Sequence, residues 1–487
     1  MPHTSNSTSR LLWVLLLFTL GTQLLVMWAL PYADSSEPRY AAIAQIMAQS
    51  NDWITPWFSP GVPFWGKPPL SFWAQALSFK LFGINEFTGR LPSWLVNLVI
   101  TALIMHGTRC LMLLQPRPNH EESLTPLLAA LLYNTMCLSF SNAGAVLTDP
   151  YLNLGLTLSL VSLLHLAYQP SRQWGWAFFV GLSLGMLAKG PLALVFCFAP
   201  LVILAFFRRA FVAQLLKRLP WFSGIVLFCL LSLPWYILAE LKTPGFLDYF
   251  IIGEHFSRFL VPGWQGDLYG TAHKAAPASI WLSLLPATFP WGLLSAFLLV
   301  KAWRQHGLRA FLQLPSSSIY LFITALFPAL FFTAAGNILW TYLLPGLAPL
   351  AMLTAYYCPP FSRGLQRTVA LGAAILPVAG LVFMGLSLHD VTITKTDKPL
   401  VEAFLARATP SDTLYFIDKP TFSARFYSQE RTAPFDAATF NADNESTAPR
   451  FIAIANYDTQ TVKTITDAHY TAIAHSKRYQ LFMRSPH

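Results

Sequence analysis

Apolar runs of spanning length, separated by short polar joints, set the plan of this chain. They lie near 11–30, 91–114, 124–141, 150–168, 221–240, 278–300, 317–335, 338–357 and 368–388. One further run, 174–207, is too long for a single helix and is broken at Lys189-Gly190-Pro191, so it reads as a hairpin of two helices. The pattern predicts an α-helical polytopic membrane protein with about 11 transmembrane helices. The first run is long for a signal-peptide core and no small-x-small cleavage site follows it, so an uncleaved first span is expected. Residues 391–487 are polar and carry strand-like runs at Thr413–Ile417 and Phe451–Ala455, with helix-like segments near Pro399–Ala408 and Phe422–Tyr427. The domain plan is therefore a membrane domain over 1–390 and a small C-terminal α/β domain over 391–487. No internal repeat stands out, which weighs against an inverted-repeat transporter.

The loop over 31–90 breaks the apolar pattern most sharply. Two amphipathic helices are expected in it. Ser36 can cap the first, with Glu37 in its first turn and Pro38 tolerated there, and Tyr40, Ile43 and Met47 then share a face. The second opens at Pro68-Pro69 and places Leu70, Trp73 and Leu77 together. Neither is long enough to span, and both suit a membrane surface.

Composition agrees with the pattern. The 487 residues are 54% hydrophobic and 11% charged, with mean hydropathy +0.48. The formal charge of +10 does not argue for nucleic acid, because many basic residues sit in short joints where they set orientation. With the N-terminus inside, the inner segments hold Arg10, Arg117, Arg172, Arg208, Arg209, Lys217, Arg218, Lys301, Arg304, Arg309, Arg363 and Arg367. An odd span count then puts the C-terminus outside. Five cysteines, Cys110, Cys137, Cys197, Cys229 and Cys358, lie in or beside apolar runs without paired spacing, so they read as small core residues.

In that topology five polar clusters share the outer face: the Asp34–Lys67 loop, Thr148-Asp149-Pro150, Lys189-Gly190-Pro191, Glu254-His255 with Arg258, and Asn337 with Tyr342. Each has an ordinary reading. Asp149 can cap the helix that Pro150 begins, Lys189 can snorkel to the interface, and His255 can be a satisfied loop histidine. Their convergence favours chemistry. Cations beside carboxylates suit a lipid-phosphate substrate: the cations hold the phosphate as it leaves, and a carboxylate takes a proton from the attacking hydroxyl. No phosphate-binding glycine fingerprint is apparent, so a nucleotide donor lacks support.

The run SEPRYAAIAQIM, then NDWITPWF, PFWGKPPLSFW and GRLP, resembles the bacterial aminoarabinose transferase and protein mannosyltransferase family. Leu147-Thr148-Asp149-Pro150, Leu187-Ala188-Lys189-Gly190-Pro191, Glu254-His255-Phe256-Ser257-Arg258-Phe259 and Tyr342-Leu343-Leu344-Pro345 extend the resemblance, which covers about Asp34 to Pro349. It implies a GT-C membrane glycosyltransferase that uses undecaprenyl or another polyprenyl phosphate sugar and inverts the transferred centre. It further implies catalytic roles within Asp34, Glu37 and Asp149, and donor contacts from Arg39, Tyr40, Lys67, Lys189, His255, Arg258 and Tyr342. Ser36 stands where the family often has aspartate, so the choice between Asp34 and Glu37 is open, with Asp34 the first choice of base because it stands at the end of the first span. Gly66 stands where it often has glutamate, which weakens a divalent metal site at His255, and no cofactor is firmly implied. The expected acceptor is lipid A (lipopolysaccharide) or another envelope glycan. Protein O-mannosylation is the nearest alternative, and a lipid-linked sugar flippase the next. Neither the sugar nor the acceptor is legible.

Overall fold

A computed structural model describes residues 2–116, 124–270, 273–417, 419–436, 449–467 and 470–484; Arg117 and His487 lie outside the described residues. Seven helices are long and apolar enough to cross a membrane: Ser7–Ala29, Glu86–Leu114, Asp149–Tyr168, Leu192–Lys217, Trp221–Lys242, Ser316–Ala334 and Arg363–His389. An eighth crossing is counted if Ile280–Thr288 and Trp291–Arg304, bent by 106°, form one broken span. The chain is thus a multi-pass membrane protein with seven or eight such spans among the described residues, where the apolar runs predict eleven. The other expected spans are helical but short or less apolar. Residues 124–141 divide into Leu124–Asn134 and Cys137–Asn142. At that break Asn134 bonds Asn97 and Thr101 from inside the protein. Residues 338–357 become a short 3-10 turn, Trp340–Leu343, followed by Leu344–Tyr357. Pro286 and Pro290 flank the bend near 289, consistent with the ring's removal of a helical donor.

The described chain divides into two compact units. The first comprises Met1–Leu25, Phe64–Ser71 and Leu91–Gly380; the second comprises Val26–Pro63, Phe72–Arg90 and Leu381–His487. In the first, Asp149–Tyr168 and Arg172–Lys189 are joined by a short turn and pack antiparallel. Their approach needs glycine: a Cβ on Gly155 would lie 2.5 Å from the Gly181 carbonyl oxygen. The hairpin therefore brings Asp149, at the start of one helix, beside Lys189, at the end of the other.

The second unit holds a five-stranded mixed sheet in the order Thr432–Phe435, Leu414–Ile417, Phe451–Ala455, Tyr479–Arg484, Tyr470–His475. The first two pairings are parallel and the last two antiparallel. Lys398–Leu405 lays Leu400, Val401 and Phe404 on a core with Leu414, Phe416 and Phe451. The first-loop helices form as expected at Ser36–Ser50 and Leu70–Phe82. Two details differ. Ser35 occupies the cap position of the first, and its side chain makes no capping bond. Tyr40, Ile43 and Met47 do share a face, but it is buried, with Tyr40 against Phe72 at 5.6 Å between ring centroids. That face is filled by protein, so it is not left for lipid.

Candidate active site

Within the first unit, Glu254 is the hub of a charged cluster. It lies on Asp248–Ser257, a helix with wide π-type turns. Lys67 Nζ donates to Glu254 Oε2 at 2.7 Å, and Arg258 Nη1 donates to Oε1 at 3.0 Å from one turn onward. Arg258 also pairs with Asp267 at 3.3 Å. Burial works against the ionised Glu254, yet Lys67 and Arg258 outweigh it and hold its carboxyl below the usual glutamate range. The peripheral bonds fix this arrangement. Asn337 donates to the carbonyls of Arg258 and Val261 at 2.6 and 2.9 Å and accepts from Gly263 N. Trp65 N donates to the Tyr269 hydroxyl, and the Trp65 indole to Thr243 Oγ1, which anchors the segment carrying Lys67. Arg258 Nε is buried with no protein partner among the described residues.

A second pair adjoins the hub. Lys189 Nζ donates to Asp149 Oδ1 at 2.8 Å and stands 5.1 Å from the Tyr342 ring centre. His255 joins the two clusters: its Nδ1 faces the Phe250 carbonyl at 2.7 Å and its Nε2 the Lys189 carbonyl at 3.1 Å. Burial dominates those two contacts and lowers the imidazole pKa. Gly190 makes the junction possible. Its φ of +71° is left-handed, and a Cβ there would come within 2.7 Å of the Phe250 ring. Gly190→Ala is expected to displace Lys189 and lower turnover by about tenfold or more, since about 1.4 kcal/mol of misplacement is tenfold. Steady-state sugar transfer by the folded variant checks this.

The second unit holds the remaining candidates. Asp34 accepts from the Ser423 backbone N–H at 2.8 Å, from Ser423 Oγ at 2.7 Å, and from Arg478, whose other partner is Asp397 at 2.7 Å. Burial raises the Asp34 pKa, with Ser423 and Arg478 acting against the rise. Glu37 receives Arg90 through both carboxylate oxygens, at 3.2 and 2.8 Å, while Arg90 also donates to the carbonyls of Met27, Leu30 and Pro31. Arg39 lies over the Tyr40 and Phe422 rings at 5.2 and 5.5 Å.

Lys67, Asp149, Lys189, His255, Arg258 and Tyr342 therefore fall in one unit, and Asp34, Glu37, Arg39 and Tyr40 in the other. Sequence reasoning noticed Glu254 but gave it no role, although its spacing of four from Arg258 was a usable signal. It quoted Arg90 within GRLP without giving it a role, and it missed Asp267 and Arg478, which carry no local pattern of their own.

A family model for dolichyl-phosphate-mannose-protein mannosyltransferases matches residues 6–250, half of the chain. The chain belongs to this mannosyltransferase family. Curated relatives of this mannosyltransferase-family chain include undecaprenyl phosphate-alpha-4-amino-4-deoxy-L-arabinose arabinosyl transferases. The one from Yersinia enterocolitica is 32% identical over 71% of this chain and 59% of its own. The one from Serratia proteamaculans is 32% identical over 77% of this chain and 63% of its own. The mannosyltransferase-family chain thus spans about three fifths of the length of these relatives. Among solved structures, ArnT from Cupriavidus metallidurans bound to undecaprenyl phosphate superposes with a TM-score of 0.75 at 17% identity, over 97% of this chain and 99% of that one. An Archaeoglobus fulgidus oligosaccharyltransferase reaches 0.51 at 10% identity, over 92% and 69%. The fold is that of the GT-C glycosyltransferases.

Proposed function

We propose that this chain transfers a sugar from undecaprenyl or a similar polyprenyl phosphate to an outward-facing acceptor of the bacterial envelope, lipid A foremost. The observation that carries the reading is the partly buried set Lys67, Arg258, Glu254 and Asp267 beside Lys189 and Asp149, supported by the names of the curated relatives. Two cations converge on one carboxylate, the geometry that also suits a phosphate oxygen. Arg258 Nε, without a partner among the described residues, supplies a further donor. In the proposed reaction the acceptor oxygen attacks the anomeric carbon from the side opposite the phosphate. The carbon–oxygen bond to phosphate breaks, and Lys67 and Arg258 stabilise the charge that builds there. Asp149 is the foremost base, as its carboxylate sits with the donor cations and meets Lys189 rather than a multiply bonded network. Asp34 and Glu37 are the alternatives. A divalent ion at His255 fits poorly, because both ring nitrogens face carbonyls and Gly66 offers no carboxylate, so no step is assigned to one.

Lys67→Ala removes a charge-assisted contact of roughly 1.5–3 kcal/mol, so donor binding or turnover is expected to fall at least about tenfold. Unchanged activity at low donor concentration rejects the role. The description of the family model favours a second reading, transfer of mannose to protein hydroxyls. Mass spectrometry of lipid A and of envelope proteins, with and without the gene, decides between them. We further propose an inner-membrane location with the site and the C-terminal domain in the periplasm, from the basic inner joints. A reporter fused after His487 is then active only in the periplasm, and cytoplasmic activity refutes the orientation.

A further inference from the structure

A cluster in the first unit takes no part in the proposed reaction. His106 and Cys110 lie one turn apart on Glu86–Leu114, and His165 reaches them from Asp149–Tyr168. His106 Nε2 is 3.1 Å from His165 Nδ1, and Cys110 Sγ is 3.6 and 3.8 Å from those nitrogens. A metal bound to nitrogen at about 2.0–2.1 Å and sulfur at about 2.3 Å sets tetrahedral edges of about 3.3 and 3.6 Å, close to this triangle. Cys110 and His165 are buried. The Trp174 indole stacks on both imidazoles, at 4.6 Å and 3° for His106 and 4.9 Å and 21° for His165, and so fixes their planes. Gln169 places its amide nitrogen, interchangeable with the oxygen by a flip, 3.3 Å from His165 Nε2. With the amide oxygen turned to that side, it accepts Nε2–H and leaves the Nδ1 lone pair directed at the cluster. His165 follows Asp149 by sixteen residues, about 24 Å along the helix, so this cluster is remote from the sugar-transfer cations.

We propose that His106 Nε2, His165 Nδ1 and Cys110 Sγ bind one soft, thiophilic metal ion that clamps the two spans together. The thiol proton leaves to solution as the metal–sulfur bond forms. One thiolate and two neutral imidazoles make an electroneutral set with a monovalent ion such as Cu(I), and leave a net positive charge with Zn²⁺. Among buried ligands beside the Arg109 guanidinium, the neutral set is favoured.

The test uses tag-free, full-length protein in detergent. One arm receives Cu(I) under anaerobic reducing conditions and the other Zn²⁺. Bound metal is counted by mass spectrometry after desalting, and affinity is read by competition with a chromogenic chelator. The expected result is one equivalent of Cu(I), held at least about 100-fold more weakly by Cys110→Ser and about tenfold more weakly by Gln169→Ala. One equivalent of Zn²⁺ lost in the same variants sustains the site and changes its ion. Sugar transfer by Cys110→Ser at the wild-type rate shows that this variant is folded. Less than a tenth of an equivalent of either metal overturns the proposal, as does equal binding by wild type and Cys110→Ser. The wild-type cluster is then an N–H···N hydrogen bond beside a thiol.

Discussion

Asp149→Asn is expected to lower turnover by roughly 100-fold or more while the protein stays folded, because the substitution keeps size and hydrogen bonding but removes basicity. The fold places Asp149 at the first residue of its helix, 2.8 Å from Lys189. The Asn side chain still bonds Lys189, so the structural role survives and the chemical one does not. Asp34→Asn and Glu37→Gln are expected to behave differently. Asp34 is held by Ser423 and Arg478, and Glu37 by Arg90. Loss of those charges should lower the melting temperature more than it lowers turnover per folded molecule. Measuring all three variants against one purified donor separates the cases. If Asp34→Asn alone abolishes turnover at unchanged stability, the base is Asp34 and the role proposed for Asp149 fails.

Glu254→Ala carries the second large effect. Glu254 is 4% exposed, and its removal leaves Lys67 and Arg258 facing each other with little water. Breaking a buried pair by deleting one partner costs about 3–5 kcal/mol. A lower melting temperature and loss of donor binding are expected together, with Glu254→Gln milder in both. The pH dependence follows from the depressed pKa. A carboxyl held below its ordinary value of 4.5 contributes fully above that pH, and its contribution fades as pH falls through the lower, folded value. Wild type should thus lose stability on acidification below about 4.5, and Glu254→Gln should lose less over the same window. Equal acid sensitivity of the two proteins rejects the hub role.

The main architecture was legible because apolar length and basic joints report a bilayer directly. The count was not. Hydropathy does not distinguish a helix facing lipid from one enclosed by protein. Leu124–Asn134 is mostly apolar and wholly buried, so its run reads as a span although the helix has only 11 residues. The strands at 432–435, 470–475 and 479–484 were missed because Pro434 and short polar alternations mute the period-two signal. At the candidate site, Lys189 was legible as an ionisable residue breaking an apolar run, and Lys67 and Arg258 as cations in loops between runs. Of their partners, Asp149 and Glu254 were in view, but Asp267 was not: it meets Arg258 through a loop, and nothing in its neighbourhood marks it. The first-loop carboxylates illustrate the same limit. Asp34 and Arg478 are 444 residues apart and become one ion pair only on folding.

The ties inside the second unit bear on how such a protein can be divided. Glu86 receives Lys398 at 2.6 Å and the Tyr427 hydroxyl at 2.9 Å, Arg425 donates to the Phe58 carbonyl, and Asp34 depends on Ser423 and Arg478. A truncation after residue 390 would strip these partners from the first loop and strand two carboxylates at once. The C-terminal sheet is thus no detachable appendage, and exchanging it between relatives would require exchanging the segments over 26–63 and 72–90 with it.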